Sequence, residues 1–317
     1  MHMKNQKKKI LVTGTSGYIG SSAFKFLSKK YNVYGLDKKK PIINSKKIFV
    51  INLLNKKKVK NFLYKIKPSC IIHLAGESLV DPKKKKTKYT LNNIFATQNL
   101  ISCMKKNYIK KIIFSSTAAV YESRNIPITE NFKTKPISNY AISKLKVERL
   151  IRKSKIKFII FRFFNVASSL DKYIGENHKP ETHLIPRASL CALKNKIFYI
   201  YGKDYKTKDG TCIRDFVHIK DICSFINFSI KYLEKNNKSN IFNVGSEKPY
   251  SVLQVVKILS KKTKLNYNFT SKRKSDPPIL ISSLSKVKKI LKWHPIHSNI
   301  EKIINDHLNW LKFNFKN

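Results

Sequence analysis

Acidic residues are scarce in this chain: 18 Asp and Glu stand against 66 Lys and Arg, a net charge of +48. Glycine is scarce too, with nine in 317 residues. No apolar run is long enough to span a bilayer, which excludes a helical membrane protein. The basic start, Met1 to Lys9, leads into a short apolar run and a glycine turn, so it reads as a strand and not as a signal peptide. The five cysteines (Cys70, Cys103, Cys191, Cys212, Cys223) are odd in number and widely spaced, with no C-x-x-C pair, which fits a reducing cytoplasm.

A large positive charge points towards nucleic acid, because basic surfaces bind phosphate backbones by counterion release. Here the charge is almost all lysine and is spread along the whole chain, beside many Ile, Asn, Tyr and Phe residues. That pattern matches an AT-biased composition, so general basicity is expected and no specific nucleic-acid partner. Arginine is rare, which makes each one more informative than any lysine. Hydrophobic content of 42% with regular apolar runs predicts a globular chain of one large or two modest domains.

Lys9–Thr13 predicts a buried strand, followed by Gly14-Thr15-Ser16-Gly17-Tyr18-Ile19-Gly20 and a helix to about Lys30 with Ile19, Ala23, Phe26 and Leu27 on one face. In a strand–turn–helix context such glycines bind a dinucleotide. Gly14 allows the tight turn, Gly17 lets backbone approach pyrophosphate, and Gly20 lets helix and strand pack closely. A second strand, Val33–Asp37, ends in an acid that suits an adenosine ribose and favours NAD over NADP, although Lys38, Lys39 and Lys40 follow it directly. A third strand spans Ile48–Ile51, a helix Asn55–Ile66, and a fourth strand runs from Cys70 into His73-Leu74-Ala75-Gly76. His73 reads as a satisfied histidine at a strand end.

A long helix from Tyr89 to Lys106 and a fifth strand, Lys111–Phe114, deliver Ser115-Ser116-Thr117 to a strand C-terminus, where parallel sheets form their ligand crevice. The next helix, Tyr140 to Lys153, opens with Ser138-Asn139-Tyr140-Ala141-Ile142-Ser143-Lys144 and precedes a strand at Lys157–Phe163. Positions i and i+4 share a helical face, so Tyr140 and Lys144 point into the same space. Free tyrosine titrates near ~10 and a nearby cation favours its phenolate, so the pair predicts a general base close to neutral pH. This βαβ alternation predicts a parallel sheet with helices on both faces.

Beyond Asn165 the rhythm breaks. A helix at Leu184–Leu193, a strand at Phe198–Tyr201, a helix from Ile219 to about Leu233 and a strand at Asn240–Val244 are expected, the last rejoining the first sheet. Helices near Val252–Lys261, Lys286–Leu291 and Asn299–Phe313 belong to a smaller lobe. There are no internal repeats, and lysine runs such as Lys83–Lys86 read as solvated faces. His294 and His297 flank Pro295 without a third ligand nearby, so they read as structural and no metal is expected.

Over about Lys9 to Trp310 the pattern resembles the extended short-chain dehydrogenase/reductases and, among them, the UDP-glucose 4-epimerases. The glycine loop, Asp37, His73-Leu74-Ala75-Gly76, Ser115-Ser116-Thr117-Ala118-Ala119-Val120-Tyr121 and Tyr140…Lys144 carry the broad resemblance. The narrower one rests on Gly175-Glu176-Asn177-His178, Glu181-Thr182-His183-Leu184-Ile185-Pro186, Tyr201-Gly202-Lys203-Asp204-Tyr205 and Arg214-Asp215-Phe216-Val217-His218.

The resemblance implies a Rossmann-like doubly wound α/β sheet with a smaller C-terminal α/β lobe. Residues 1–165, with about 217–245 returning to them, would bind NAD, and residues 166–317 the UDP-sugar. It assigns Gly14, Gly17, Tyr18, Ile19, Gly20, Asp37, Asn52, Leu53, Leu74, Ala75, Asn92, Ser115, Tyr140, Lys144 and Phe164 to the cofactor. Thr117, Tyr140 and Lys144 form the catalytic group. Thr117, Asn165, Leu184, Tyr199, Tyr201, Arg214, Arg273 and Asp276 meet the substrate, the arginines suiting a diphosphate. The chain departs from the family at Asn52, at Glu77-Ser78-Leu79-Val80, at Glu122 and in Lys272-Arg273-Lys274-Ser275-Asp276-Pro277. Leu280 stands where residue size bears on N-acetylated sugars, which leaves substrate breadth open.

The implied reaction is inversion at C4 of UDP-glucose and UDP-galactose through a 4-keto sugar, with a tightly bound NAD, in a cytoplasmic homodimer. A UDP-GlcNAc 4-epimerase is one alternative. A sugar-nucleotide 4,6-dehydratase begins with the same oxidation but needs an acid pair after the threonine, where this chain has Ala118-Ala119. The alternative outside enzymology, a polyanion-binding protein on the same fold, rests on the charge alone.

Overall fold

The computed structural model describes residues 7–78, 85–123, 125–273 and 276–315. Of the sequence features above, residues 1–6, Leu79, Val80, Lys83, Lys84, Lys274 and Ser275 lie outside them. In chain order the elements are β1 (Lys9–Thr13), α1 (Tyr18–Ser28), β2 (Asn32–Asp37), β3 (Ile48–Val50), α2 (Lys56–Ile66), β4 (Cys70–His73), α3 (Lys86–Tyr89), α4 (Ala96–Lys106), β5 (Lys111–Thr117), α5 (Asn139–Lys153) and β6 (Lys157–Phe163). There follow β7 (Asn165–Ala167), α6 (Leu184–Leu193), β8 (Phe198–Tyr201), β9 (Ile213–His218), α7 (Ile219–Asn236), β10 (Asn240–Val244), β11 (Pro249–Ser251), α8 (Val252–Lys262), β12 (Tyr267–Thr270), β13 (Ile279–Leu280), α9 (Ser285–Leu291) and α10 (Ile300–Phe315).

Two compact units divide the chain. One comprises Met1–Val120, Pro136–Phe161 and Cys223–Ile241; the other comprises Tyr121–Lys135, Arg162–Ile222 and Phe242–Asn317. Seven strands form one sheet in the order β10-β6-β5-β4-β1-β2-β3, so β10 does rejoin it. The pairs β1–β2, β1–β4, β2–β3 and β4–β5 are parallel. Strands covered by helices on both faces read as continuous apolar runs, as in Ile10-Leu11-Val12 and Ile71-Ile72, all fully buried.

Register is what makes the site of the first unit. Thr13 stands opposite both Leu36 and His73, so the residues that follow, Gly14, Asp37 and Leu74, leave the sheet at one edge. The core below includes Leu11, Leu36, Leu63, Ile71, Leu100, Ile112 and Ile151. Helix starts carry local signals: the Asn55 side chain caps α2, Ser138 caps α5, and Ser251 with Gln254 forms a reciprocal capping box on α8.

Two expectations need correction, and one stretch with no expected element is a strand. The long helix predicted from Tyr89 to Lys106 is interrupted by a π-helical segment, Thr90–Phe95. The buried face of α1 is Gly20, Ala23, Phe24 and Leu27, with Ile19 and Phe26 only partly covered. In the second unit, Ile213–His218 is a strand, and it pairs with β7, β11 and β13. That unit holds its own core, including Ile185, Phe198, Val255, Leu259, Ile300 and Ile304.

Within the second unit Asp215 pins β9 to its surroundings. One carboxylate oxygen accepts the Ser246 N–H at 2.7 Å and its hydroxyl at 2.7 Å. The other accepts the Ser282 N–H at 3.0 Å, the Glu247 N–H at 3.2 Å and the Ser282 hydroxyl.

Candidate active site

The β1–α1 turn fits a dinucleotide phosphate. Gly14 has φ +81°, and a Cβ there would meet the Ala75 nitrogen at 2.7 Å; a Cβ on Gly20 would strike the Gly14 carbonyl oxygen at 1.9 Å. Both glycines are therefore demanded by the fold itself. Gly17 is different: a Cβ there would meet only the Gly14 oxygen, at 3.4 Å, which is ordinary contact. Gly17 is exposed, and as the N-cap of α1 it offers no side-chain cap. A helix N-terminus with bare backbone suits a phosphate from outside the chain.

Asp37 stands beside this turn. Its carboxylate accepts N–H groups from Ser16 at 2.9 Å and Lys39 at 3.0 Å. Asn52 is exposed and caps its own loop through the Leu54 N–H at 3.0 Å. Leu53 is buried in the core, which leaves its backbone, not its side chain, for a ligand. Leu74 and Ala75 continue β4, and the Ala75 N–H donates to the Thr13 hydroxyl at 3.2 Å. Asn92 joins Lys38 Nζ at 3.0 Å and Glu77 at 3.2 Å. His73 is satisfied on both sides, Nδ1 to Thr13 at 2.8 Å and Nε2 to Thr97 at 2.9 Å, and burial pulls its pKa down to about 3.

The fold brings Ser115, Thr117, Tyr140 and Lys144 together. Lys144, 5% exposed, donates from Nζ to the Ser115 carbonyl oxygen at 2.9 Å. Its Nζ lies 4.9 Å from the Phe114 ring centre and 5.9 Å from that of Tyr140. Burial pulls the ammonium down to about 8, against the opposing pull of Glu148. Burial also pushes the Tyr140 phenol up to about 12; a hydrogen bond with Thr117 opposes this and the neighbouring Tyr89 reinforces it. Burial thus works against the phenolate that the spacing of Tyr140 and Lys144 predicts.

Two supporting residues escaped the sequence reading. Glu148, 1% exposed and one turn after Lys144, accepts a short hydrogen bond from the Ser116 hydroxyl. Its position four residues beyond Lys144 was a legible signal. Asn93 lies in the π-helical segment, where it accepts the Glu77 N–H at 2.7 Å and donates to the Ser143 hydroxyl at 2.8 Å, beside Lys144. π-Helical turns often mark such positions.

In the second unit, Tyr199 and Tyr201 share one face of β8. The guanidinium of Arg273 lies 4.0 Å from the Tyr201 ring centre and that of Arg187 5.2 Å. Together they hold the Tyr201 phenol below its usual range, Arg187 contributing most. Arg187, on α6 three residues after Leu184, was not singled out by sequence. Arg214 Nη1 donates to the backbone oxygens of Ile213 at 2.9 Å and Pro277 at 2.7 Å. Part of this guanidinium therefore braces β9. Asp276 and Arg214 act in opposite directions on the phenol of Tyr205. The Asn165 amide donates to the Asp215 carbonyl at 3.0 Å, and the Phe164 N–H to the Val244 oxygen at 3.1 Å.

His297 donates its backbone N–H to the Asp221 carboxylate at 2.9 Å, and its ring lies tilted beside that of His218, with centres 5.8 Å apart. A different group has metal-ligand spacing: Glu176, His178 and His183 offer ligand atoms within 4.8 Å of one another.

A glycine-turn sheet joined to a Thr–Tyr–Lys group defines a dinucleotide-dependent enzyme that acts on carbon–oxygen centres. The profile of the NAD dependent epimerase/dehydratase family matches residues 10–245, and the chain belongs to that family. Among its members it is similar to the UDP-glucose 4-epimerase of Lactobacillus helveticus, 35% identical over 96% of this chain and 97% of the relative. The crystal structure of UDP-glucose 4-epimerase from Brucella ovis in complex with NAD superposes with a TM-score of 0.90 at 27% identity, covering 95% of this chain and 97% of that one. The UDP-Glc/GlcNAc 4-epimerase from Campylobacter jejuni does so at 0.82 and 34% identity, covering 96% and 99%. Among the described residues, no helix is long and apolar enough to cross a membrane.

Proposed function

We propose that this protein is an NAD-dependent epimerase that interconverts UDP-glucose and UDP-galactose by inverting C4. Full-length similarity to UDP-glucose 4-epimerases supports the reaction. The single observation that carries the chemistry is the convergence of Thr117, Tyr140 and Lys144 above the C-terminal end of β5. NAD, when bound, supplies a reversible hydride acceptor for C4 and a positively charged ring. Gly14, Gly17, Tyr18, Ile19 and Gly20 would hold its pyrophosphate, and Asp37 its adenosine ribose. Asn52, Leu53, Leu74, Ala75, Asn92, Ser115 and Phe164 complete that surface, and residues 1–165 with 217–245 form the cofactor domain.

Tyr140 takes the proton from the 4-hydroxyl at its phenolic oxygen and returns it in the reverse half-reaction, with Thr117 as the hydrogen-bonding relay. Burial raises the pKa of the phenol, and positive charge beside it favours the phenolate that the base needs. Lys144 contributes a cation fixed by Ser115, and Glu148 behind it favours the charged form. Asn165, at the end of the cofactor domain, and Leu184, Tyr199, Tyr201, Arg214, Arg273 and Asp276, within 166–317, hold the UDP-sugar, so the keto sugar stays tethered while it turns over.

Dehydration lacks its catalysts. Ala118 and Ala119 follow Thr117, and the nearby acid Glu148 is buried and tied to Ser116. All five cysteines are free, which supports a cytoplasmic location. We assign the homodimer to the stretches 92–106 and 140–153; Leu91 and Phe95, 44% and 47% exposed, lie on or beside the first. Incubation with UDP-galactose and UDP-N-acetylgalactosamine in parallel, read by sugar NMR, tests the assignment. The expected product is the 4-epimer; a 4-keto-6-deoxy sugar, or no conversion by NAD-loaded protein, overturns it.

A further inference from the structure

The loop leading into α6 carries Glu176, His178, Glu181 and His183, and ligand atoms of Glu176, His178 and His183 lie within 4.8 Å of one another. Nδ1 of His183 lies 2.6 Å and Nδ1 of His178 3.8 Å from Oε1 of Glu176. Across the group, His178 Nδ1 is 3.4 Å from one oxygen of Glu181, and His183 Nδ1 is 3.9 Å from the other. The two rings meet edge to face with centres 4.8 Å apart. A tetrahedral zinc with bonds of ~2.0–2.2 Å separates its ligand atoms by roughly 3.3–3.5 Å. Three of the four distances here, 3.4 to 3.9 Å, lie at or a little above that value; the fourth, 2.6 Å, is the hydrogen bond between His183 and Glu176, which a bound cation would replace.

Hydrogen bonding within the protein completes only part of the group: Nδ1 of His183 and Oε1 of Glu176 are hydrogen-bonded to each other at 2.6 Å. Glu176 is 2% exposed, yet its Oε2 has no hydrogen-bond partner, and neither does the buried Nδ1 of His178. A buried carboxylate oxygen and a buried imidazole nitrogen left unpaired are costly, and one cation between them satisfies both. The carboxylate of Glu181 is already held in place, since the N–H groups of His178, Thr182 and His183 donate to it at 2.9, 2.8 and 2.9 Å. Outer bonds of this kind fix a ligand's orientation. The loop's first residue is fixed as well, because a Cβ on Gly175 would meet the Trp310 ring at 2.3 Å.

We propose that Glu176, His178 and His183 bind one divalent cation of the zinc class, which draws in the adjacent Glu181 carboxylate as its fourth ligand. Two carboxylates and two neutral imidazoles balance its charge, and four protein ligands leave no open position. Such a site is structural rather than catalytic. It closes the loop at the start of α6 and so sets the position of Leu184 and Arg187, which follow directly. Nothing in this depends on the epimerase reaction.

The test is metal binding by the full, tag-free chain after chelator treatment. Titration with Co(II) should give one equivalent bound, with the intense visible bands of a four-coordinate centre, and one equivalent of Zn(II) should bleach them. Combined Glu176→Gln and His183→Asn substitution should weaken Zn(II) binding by more than about 100-fold. His294→Asn, at an exposed position, should leave it unchanged. Absence of a stoichiometric cobalt band in the wild-type chain overturns the proposal, whether or not the double variant folds. A band that persists unchanged in a folded double variant overturns it too.

Discussion

The ammonium of Lys144 donates to the carbonyl oxygen of Ser115 at 2.9 Å, tying the middle of α5 to the end of β5. That bond fixes where positive charge stands beside Tyr140. It also separates two roles that residue spacing alone runs together. Lys144 is placed by the sheet, whereas the acidity of Tyr140 is set by its burial and by whatever binds next to it.

Tyr140→Phe keeps the ring and removes the proton carrier. Turnover of UDP-galactose should fall by ~10²–10⁴-fold, with UDP affinity by calorimetry unchanged. A rate equal to the wild type removes Tyr140 from the chemistry.

Glu148→Gln tests a positioning residue. The carboxylate favours the charged form of Lys144, so its loss should lower that ammonium further below about 8. The alkaline limb of the pH–rate profile should then move to lower pH, with KM little changed. A lower rate at every pH with no shift in the limb would make Glu148 a packing residue only.

Three buried histidines set the acid limit of the fold. His73 is pulled down to about 3, and His218 and His307 to about 4, all chiefly by burial. Between those values and the unfolded value near ~6.5, the unfolded chain binds more protons, so stability rises with pH and is lost as pH falls. Each should cost on the order of 1–2 kcal/mol by pH 5. Urea midpoints at pH 7 and pH 5, compared for the wild type and His73→Gln, measure the share that belongs to His73.

Asp215→Ala leaves the amides and hydroxyls that converge on that carboxylate without an acceptor. The expected loss is about 3 kcal/mol, seen as a lower urea midpoint. An unchanged midpoint would mean that water or a neighbouring group takes over.

The sequence made the parallel sheet legible because its strands, such as Ile10–Val12 and Ile71–Ile72, are unbroken apolar runs between helices of plain periodicity. The pairing of Tyr140 with Lys144 was legible for the same geometric reason. The phenol's high pKa was not, since desolvation depends on what the rest of the chain packs around it. The short strands β7, β9, β11 and β13 were hidden because each is defined by distant partners rather than by its own pattern. Arg214 was read as a ligand contact alone; its grip on the Pro277 carbonyl exists only once β9 and that loop meet.

The π-helical segment at Thr90–Phe95 works as a phase shifter. A residue advances an α-helix by about 100°, so the wider turn rotates everything after it relative to everything before. Thr97, just beyond the segment, reaches His73, while Asn93 within it reaches Ser143 and Glu77. In an unbroken α-helix Asn93 and Thr97, four residues apart, would sit about 40° apart around the axis, and the wider turn changes that angle. Shortening the segment by one residue would restore ordinary helical phase and leave the helix intact. The cost would then fall on the alignment of Asn93 with Ser143 and of Thr97 with His73, with little sign of it in helix content.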